Sequence, residues 1–282
     1  MDSKGETVNQ ARFSRLLGLS RSSSYYHHQQ PIKDELLREQ IIQTQILHPA
    51  YGHRRIAIKL NLGKKRIRRV MRKFGLKPYK RKARWRKRRD ERRREAPHQN
   101  LIKNLCPISL NLIWVTDFTY IRYQNKFVYL ATFMDLYTRE IVGWSISNKH
   151  TKKLIFEAFF DSVQNRGQLP KIIHSDQGAE YTCKEYVNLL TDLNIQISMS
   201  KKASPWENGY QESFYNNFKT ELGLEIDRFE TISHLIEAVH FQINYYNKYR
   251  IHSSLRTSPL KFRLLHQKTT SSSRTTTKFI CS

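Results

Sequence analysis

The spacing of apolar and polar positions divides the chain into two textures. In the first, apolar residues recur at helical intervals. Leu36, Leu37, Ile41 and Ile46 predict a helix over 33–47 that His48-Pro49 ends. Ile56 and Leu60, then Ile67, Val70, Met71 and Phe74, mark two further helices broken at Gly63, with Gly75 as C-cap and Pro78 as stop. Residues 11–26 (ARFSRLLGLSRSSSYY) read as a short helix, a turn at Gly18 and a Ser-rich helix start, compatible with half of a helix-turn-helix unit. Beyond Pro107 the pattern becomes β-rich. The runs 112–121 (LIWVTDFTYI), 126–135 and 140–147, with turns at Asn125 and Tyr137-Thr138-Arg139, predict an antiparallel meander. A helix over about 151–165 follows, with Leu154, Ile155, Ala158, Phe159 and Val163 inward. Then come a strand (KIIHSD, 171–176), a helix on Tyr186, Leu189, Leu190 and Leu193, and a short strand over 195–200. Two helices close the series, over about 205–222 and about 232–247 on Leu235, Val239, Ile243 and Tyr246. Three strands followed by alternating helices and strands predict a mixed α/β sheet with helices on its faces.

Charge sharpens this division. The 282 residues carry a net charge of +26, but residues 1–105 hold 29 Lys/Arg against 8 Asp/Glu and the remainder 21 against 16. A strongly basic front on a nearly neutral back points to a nucleic-acid partner. The polar face of the helix after Gly63 carries Lys64, Lys65, Arg66, Arg68, Arg69, Arg72 and Lys73, without one acid in that ten-residue run. Like charges at i,i+4 destabilise a helix, so an external anion is the expected partner. Residues 80–95 (KRKARWRKRRDERRRE) are denser still, with Arg84, Trp85 and Arg86 at their centre. They read as an extended basic connector in which Trp85 can stack on a base or sugar. The organisation expected is a helix-turn-helix-like DNA-binding region over 1–79, a basic linker over 80–107, an α/β core with its C-terminal helix over 108–266, and a low-complexity, disordered tail over 267–282. Cys106, Cys183 and Cys281 are too far apart for metal-ligand spacing and odd in number, which argues against structural zinc or a disulfide framework and fits a reducing cytoplasm. No secretory signal and no apolar run long enough for a membrane span is visible.

Chemistry on a polyanion backbone needs carboxylates that can hold a metal against phosphate. Three stand where a purely structural explanation is weakest. Asp117 lies mid-strand in WVTDFTYI, sharing a face with Val115 and Thr119, where an ionised carboxylate is costly to bury. Asp176 ends the strand KIIHSD; before Gly178 it either shapes a turn or presents a functional group. On the helix from 205, Ser204-Pro205 and Glu207 fit a capping box. The apolar face is Tyr210, Phe214 and Phe218, and Glu212 lies about 160° from Phe214, with Asn208, Asn216 and Lys219 within about 40° of it. Glu221 falls on the opposite side. Glu212 is therefore either an ordinary exposed glutamate or the third member of the set.

Asp117, Asp176 in HSDQGAEY, and Glu212 in NGYQESFYNNFKTE, with thirty-five residues between the last two, resemble the Asp-Asp-Glu (DDE) set of the retroviral-integrase superfamily. More closely, WVTDFTYI, MDLYTREIVGWS, YYNKYRIHSSLRTSP and the front HPAYGHRRIAIKL…RIRRVMRKFGLKP resemble the second-frame product (OrfB) of two-frame insertion-sequence transposases of the insertion sequence three type, over roughly residues 11–263. The resemblance implies an RNase H-like core in which Asp117, Asp176 and Glu212 hold two divalent ions (Mg²⁺ or Mn²⁺). It also implies nicking at element ends and strand transfer by the 3′-OH. It makes Lys219 a DNA-contacting lysine, sets Asn247, Arg250 and His252 near the DNA or the site, and leaves Asp135 as a structural or supporting acid. Partners implied are DNA (transposon ends and target), further copies of the chain, and the upstream-frame product (OrfA). The location implied is the cytoplasm, at the nucleoid. The text departs from relatives at Trp206-Glu207 and Tyr210-Gln211 and is short over 61–65. Two other readings stay open: a DNA-binding subunit or regulator of transposition without independent catalysis, and an RNase H-like nuclease without strand transfer.

Overall fold

The computed structural model describes residues 15–18, 20, 29–80, 97–103, 105, 107–124, 126–201, 205–223 and 229–270. Most of 11–26, Asn125, Ser204, and Arg84, Trp85 and Arg86 of the basic connector lie outside them.

The front holds α1 (Gln30–Leu47), α2 (His53–Lys59) and α3 (Lys64–Lys73). Gly63 caps α3 in an extended conformation, and Gly75 ends it at φ 66°, with Leu76 N donating to Met71 O (2.8 Å) and Gly75 N to Arg72 O (3.3 Å). Leu37, Ile41, Tyr51, Ile56, Ile67, Val70 and Met71 form its core. The inward stripe of α1 differs from the expected one. Leu36 and Ile46 are exposed, and the buried positions are Asp34, Leu37, Ile41 and Thr44. Two of those four are polar, so apolar spacing alone selects the wrong neighbours. The front also packs on the far end of the chain: Ile251 touches its core, Tyr51 Oη accepts from Ile251 N (2.7 Å), and His48 Nδ1 pairs with Tyr245 Oη (2.7 Å).

The rest is an RNase H-like mixed sheet of β1 (Ile113–Tyr123), β2 (Lys126–Asp135), β3 (Ile141–Ser147), β4 (Ile172–Ser175) and β5 (Gln196–Met199), in the order β3-β2-β1-β4-β5. The meander β1–β2–β3 is antiparallel; β4 and β5 add in parallel beside β1. Alternation along the strands feeds two cores. Ile113, Val115, Leu130 and Met134 pack with α7 (Gly209–Leu222) and α8 (Ile232–Lys248) through Phe214, Phe218, Leu235 and Val239. Trp114, Ala131, Phe133 and Ile173 pack with α4 (Lys152–Arg166), α5 (Ala179–Thr182) and α6 (Lys184–Asp192) through Leu154, Phe159, Tyr181 and Leu190. At Gly143 on β3 a Cβ would overlap the Oγ, N and Cα of Ser162, so this glycine sets how closely α4 approaches the sheet.

Three details differ from the sequence expectation. The helix expected from 205 is a 3₁₀ turn (Pro205–Asn208) followed by α7, and Glu207 does not cap it. Its carboxylate instead accepts from Lys201 N (2.7 Å) and Asn100 Nδ2 (2.9 Å), tying down the segment that enters the core. Tyr210 is 43% exposed, and the inward stripe of α7 runs through Gln211, Phe214, Tyr215, Phe218 and Leu222. A last helix, α9 (Pro259–Thr270), has no clear periodic signal and continues into the segment read as a tail; 271–282 lie outside the described residues.

Candidate active site

Asp117 and Asp176 are brought together by strand register. β1 and β4 run parallel, pairing Ile113 with Ile172 and Val115 with His174. Two residues further along each chain, Asp117 on β1 and Asp176 just past the end of β4 come to the same level, and the charge of Asp176 acts on Asp117.

Three side chains seat the α7 end of the chain on β1 through its main-chain carbonyls. Asn208 Nδ2 donates to Thr116 O (3.2 Å), Gln211 Nε2 to Val115 O (2.7 Å), and Tyr215 Oη to Asp117 O (2.6 Å). Gln211 is fully buried and also accepts from Thr132 Oγ1 (3.1 Å). With Gln211 and Tyr215 turned into the sheet, the adjacent Glu212 stands exposed on the flank of the helix.

The charges of Asp176 and Glu212 both reach Asp117. Burial pushes the Asp117 carboxyl up to about 7, and the charges of Asp176 and Glu212 add to the rise, while the Phe118 N–H on its Oδ1 (2.8 Å) and Lys219 oppose it. Asp176 is also raised, by burial first and by Glu180, against the Gly178 N–H and His150. Its Oδ1 accepts from Gly178 N (2.9 Å), so the turn reading and the functional reading of Asp176 hold together. Two buried phenols, Tyr181 and Tyr215, lie near the aspartates, one in each core. Burial raises both far above the ordinary phenol range, and Asp117 and Asp176 add to it, so they stay protonated as hydroxyl donors. His150 packs on Phe118 (ring centroids 4.1 Å apart) and meets Glu180 (3.1 Å) at the rim.

Among the described residues, no three His, Cys, Asp or Glu side chains are already gathered as a metal cage. The donor set nonetheless suits a hard cation. It is all carboxylate oxygen, and Mg²⁺ is typically held by one or two carboxylates while keeping several waters. A bound cation would offset both the burial and the neighbouring charges that raise Asp117.

The other sequence candidates separate. Lys64, Lys65, Arg66, Arg68 and Arg72 are exposed on one helix, α3. Arg69 is not an unpaired cation: its Nη1 lies 2.7 Å from the buried Asp34, which Lys73 also meets (3.0 Å), and this pairing holds the Asp34 carboxyl well below its usual range. The acid missing from α3 is thus supplied by α1. Lys219 stands in the site, its Nζ 4.5 Å from the ring centre of Tyr120. Arg250 is corrected as a surface DNA contact: it is 2% exposed, with Nε 2.6 Å from Glu221. Asn247 is engaged on both sides by the Ile141 backbone (2.9 Å each), and Asp135 is a structural cap that accepts from Asn111, Tyr137 and Thr138. His174 is buried against Ser198 (2.8 Å), serving to bring Asp176 to the strand end. Sequence reasoning missed Gln211 and Tyr215. The polar Gln211 immediately before Glu212, at i and i+4 with Tyr215, was the available signal.

Two models described as "Integrase core domain" match the chain, over residues 109–205 and 193–259. The chain is similar to the InsK product for insertion sequence element IS150 of Escherichia coli (30% identical over 263 residues, 88% of this chain and 91% of that one). It is also similar to the transposase for insertion sequence element IS904 of Lactococcus lactis (36% over 159 residues, 55% of this chain), of which it spans 62%. Among solved structures it is similar to the HTLV-2 integrase catalytic core domain in complex with magnesium (TM-score 0.45, 20% identity, covering 54% of this chain and 96% of that one). The integrase core thus coincides with the sheet that carries Asp117 and Asp176 and the helix that carries Glu212, and the chain belongs to the integrase-core transposases of insertion sequences.

Proposed function

We propose that the chain is a DDE transposase that cuts transposon-end DNA and joins the freed 3′-OH ends to target DNA, with Asp117, Asp176 and Glu212 as its catalytic set. The observation that carries this reading is the register of β1 and β4, which brings Asp117 and Asp176 to one level beside the helix α7 that bears the exposed Glu212; burial first, and then the charges of Asp176 and Glu212, push the Asp117 carboxyl up to about 7. Asp117, Asp176 and Glu212 would hold the divalent ions, Mg²⁺ or Mn²⁺. Bound there, such ions supply Lewis-acid activation of the attacking oxygen and charge stabilisation at the leaving one. Lys219 adds a positive charge beside Asp117 for an approaching phosphate, and the Tyr215 hydroxyl holds the Asp117 backbone. The exposed cations of α3 (Lys64, Lys65, Arg66, Arg68 and Arg72) provide a phosphate-tracking face, which supports grip on the element ends.

Joining two ends requires holding them together, so the working form is a multimer on DNA, with an upstream-frame product as a further partner. No described helix is long and apolar enough to cross a membrane, and the reading sets the protein on DNA in the cytoplasm. The test is cleavage and joining of duplexes carrying the inverted repeats that flank the gene, in Mg²⁺, by wild type and Glu212→Gln. Products from wild type and none from the variant are expected. Equal products from both would remove the assignment.

A further inference from the structure

Beyond Asp117 the β1–β2 hairpin carries a run of aromatic residues that the carboxylate chemistry does not use. Register sets Tyr120 opposite Tyr129, Phe118 opposite Ala131 and Arg122 opposite Phe127. Strand alternation therefore places Phe118, Tyr120, Phe127 and Tyr129 on one face. The inner part of this group is backed by the core. Phe118 and Tyr129 pack against the cluster that holds Trp114, Ala131 and Phe159, and His150 meets both rings (centroids 4.1 and 5.0 Å apart). The outer part stands in water: Tyr120 and Phe127 meet edge to face (5.1 Å, 75°) and are 47% and 50% exposed. The tip of the hairpin is tied down, since Tyr123 Oη and Gln124 Nε2 both donate to Glu230 O (3.1 and 2.9 Å).

Cross-strand pairing accounts for the contact between Tyr120 and Phe127 but not for where the pair stands. Tyr120 lies three residues past Asp117 on β1, about 10 Å along the strand, or roughly three base steps of about 3.4 Å. Lys219 of α7 joins the two places: its charge acts on Asp117, and its Nζ lies 4.5 Å from the ring centre of Tyr120. Alternation turns Asp117 to the opposite face of β1. However, β4 pairs with β1 only from Ile113 to Val115, so no described strand covers that edge of β1 beside Tyr120, and a DNA strand can pass round it. Between Phe118 and Tyr129 the charged residues are Arg122 and Lys126, both positive and both exposed. Aromatic rings rimmed by cations are a surface on which unpaired bases stack, whereas the base faces inside a duplex are already taken. A second copy of this chain, itself at +26, would bring like charge against Arg122, Lys126 and Lys219; an anionic strand brings the opposite sign.

We infer that Tyr120 and Phe127 form a stacking platform for an unpaired base of the DNA strand beside the cut, with Phe118, Tyr129 and His150 as its fixed backing. The inference rests on the reading of the chain as a DNA-cutting enzyme. The platform would hold a frayed element end open and keep the strand at Asp117 apart from its complement.

The test uses the full chain as wild type, Tyr120→Leu, Phe127→Leu and Tyr120→Phe. Binding is measured in EDTA to two element-end duplexes, one fully paired and one with a few mismatched pairs at the element tip. Wild type is expected to prefer the mismatched duplex by about tenfold. The leucine variants keep apolar bulk and lose the π surface. They should lose most of that preference while binding the paired duplex as wild type does, and Tyr120→Phe should keep it. Should a leucine variant fail to fold, bromouracil in the mismatched stretch is photo-crosslinked to wild type. Adducts on Tyr120 or Phe127 support the platform, and adducts only elsewhere overturn it. A wild type without the preference, leucine variants that retain it, or an equal loss on both duplexes would also overturn the inference. So would a changed oligomeric state without DNA and an unchanged preference, which assigns the face to a second copy. Cleavage that depends on Glu212, with no preference for the mismatched duplex, sinks the platform alone. A preference that the leucine variants lose, without cleavage by wild type, sinks the transposase reading alone.

Discussion

The raised Asp117 carboxyl makes a measurable statement about stability. Its proton is held to about 7 in the fold against 3.8 ordinarily. At 1.36 kcal/mol per pH unit this amounts to about 4 kcal/mol against the ionised folded form, and partial solvent access to the site brings the expected effect to about 2–4 kcal/mol. Because the folded value lies above the unfolded one, the folded state binds more protons between about pH 4 and 7, so stability falls as pH rises through that window. The cost is absent below it and complete above it. Asp117→Asn keeps an acceptor for Phe118 N–H and removes the charge. Urea unfolding of wild type and variant in EDTA, from pH 4 to 8, should give a stability difference that starts near a constant offset at pH 4. It should grow in the variant's favour by about 2–4 kcal/mol by pH 8. Adding Mg²⁺ at pH 8 should return much of this to wild type and little to the variant. A difference that stays flat across the pH series would refute the argument that these carboxylates repel one another in a partly desolvated site.

Lys219→Met should move the midpoint of that pH curve upward, because Lys219 opposes the rise at Asp117; the same urea series reads it. Tyr215→Phe removes the donor to Asp117 O (2.6 Å) and the partner of Thr132 (2.8 Å). It should cost about 1–3 kcal/mol in denaturant unfolding and lower strand cleavage through a looser seat for Glu212. Gly143→Ala forces the α4 backbone at Ser162 away from β3. It should cost about 3 kcal/mol or give insoluble protein, and Ser162→Gly should not rescue it because backbone atoms also clash.

The sheet was legible, and Asp117, Asp176 and Glu212 stood out as candidates, because these signals are local. β1, β2 and β3 announce themselves by alternation, Asp117 by being a charge inside an apolar strand, Asp176 by ending one, and Glu212 by its angle from Phe214. What could not be read is which distant element supplies a partner. α3 gives no sign that Asp34, thirty-five residues before Arg69, takes up part of its charge. Arg250 looks like a free cation until Glu221 is brought beside it. Spacing reports the face a residue occupies on its own element; it carries nothing about the surface that face will meet.

The seam between the front and the end of the chain also sets a schedule. His48 pairs with Tyr245, and Tyr51 with the backbone of Ile251, across 197 and 200 residues. At about 5–20 residues per second, a ribosome needs roughly 10–40 s to make that span. For that interval the basic front is already outside the ribosome while the pieces that complete its core are still being made. It must wait unsealed, a period in which proteases and chaperones compete for a segment that the finished molecule keeps closed.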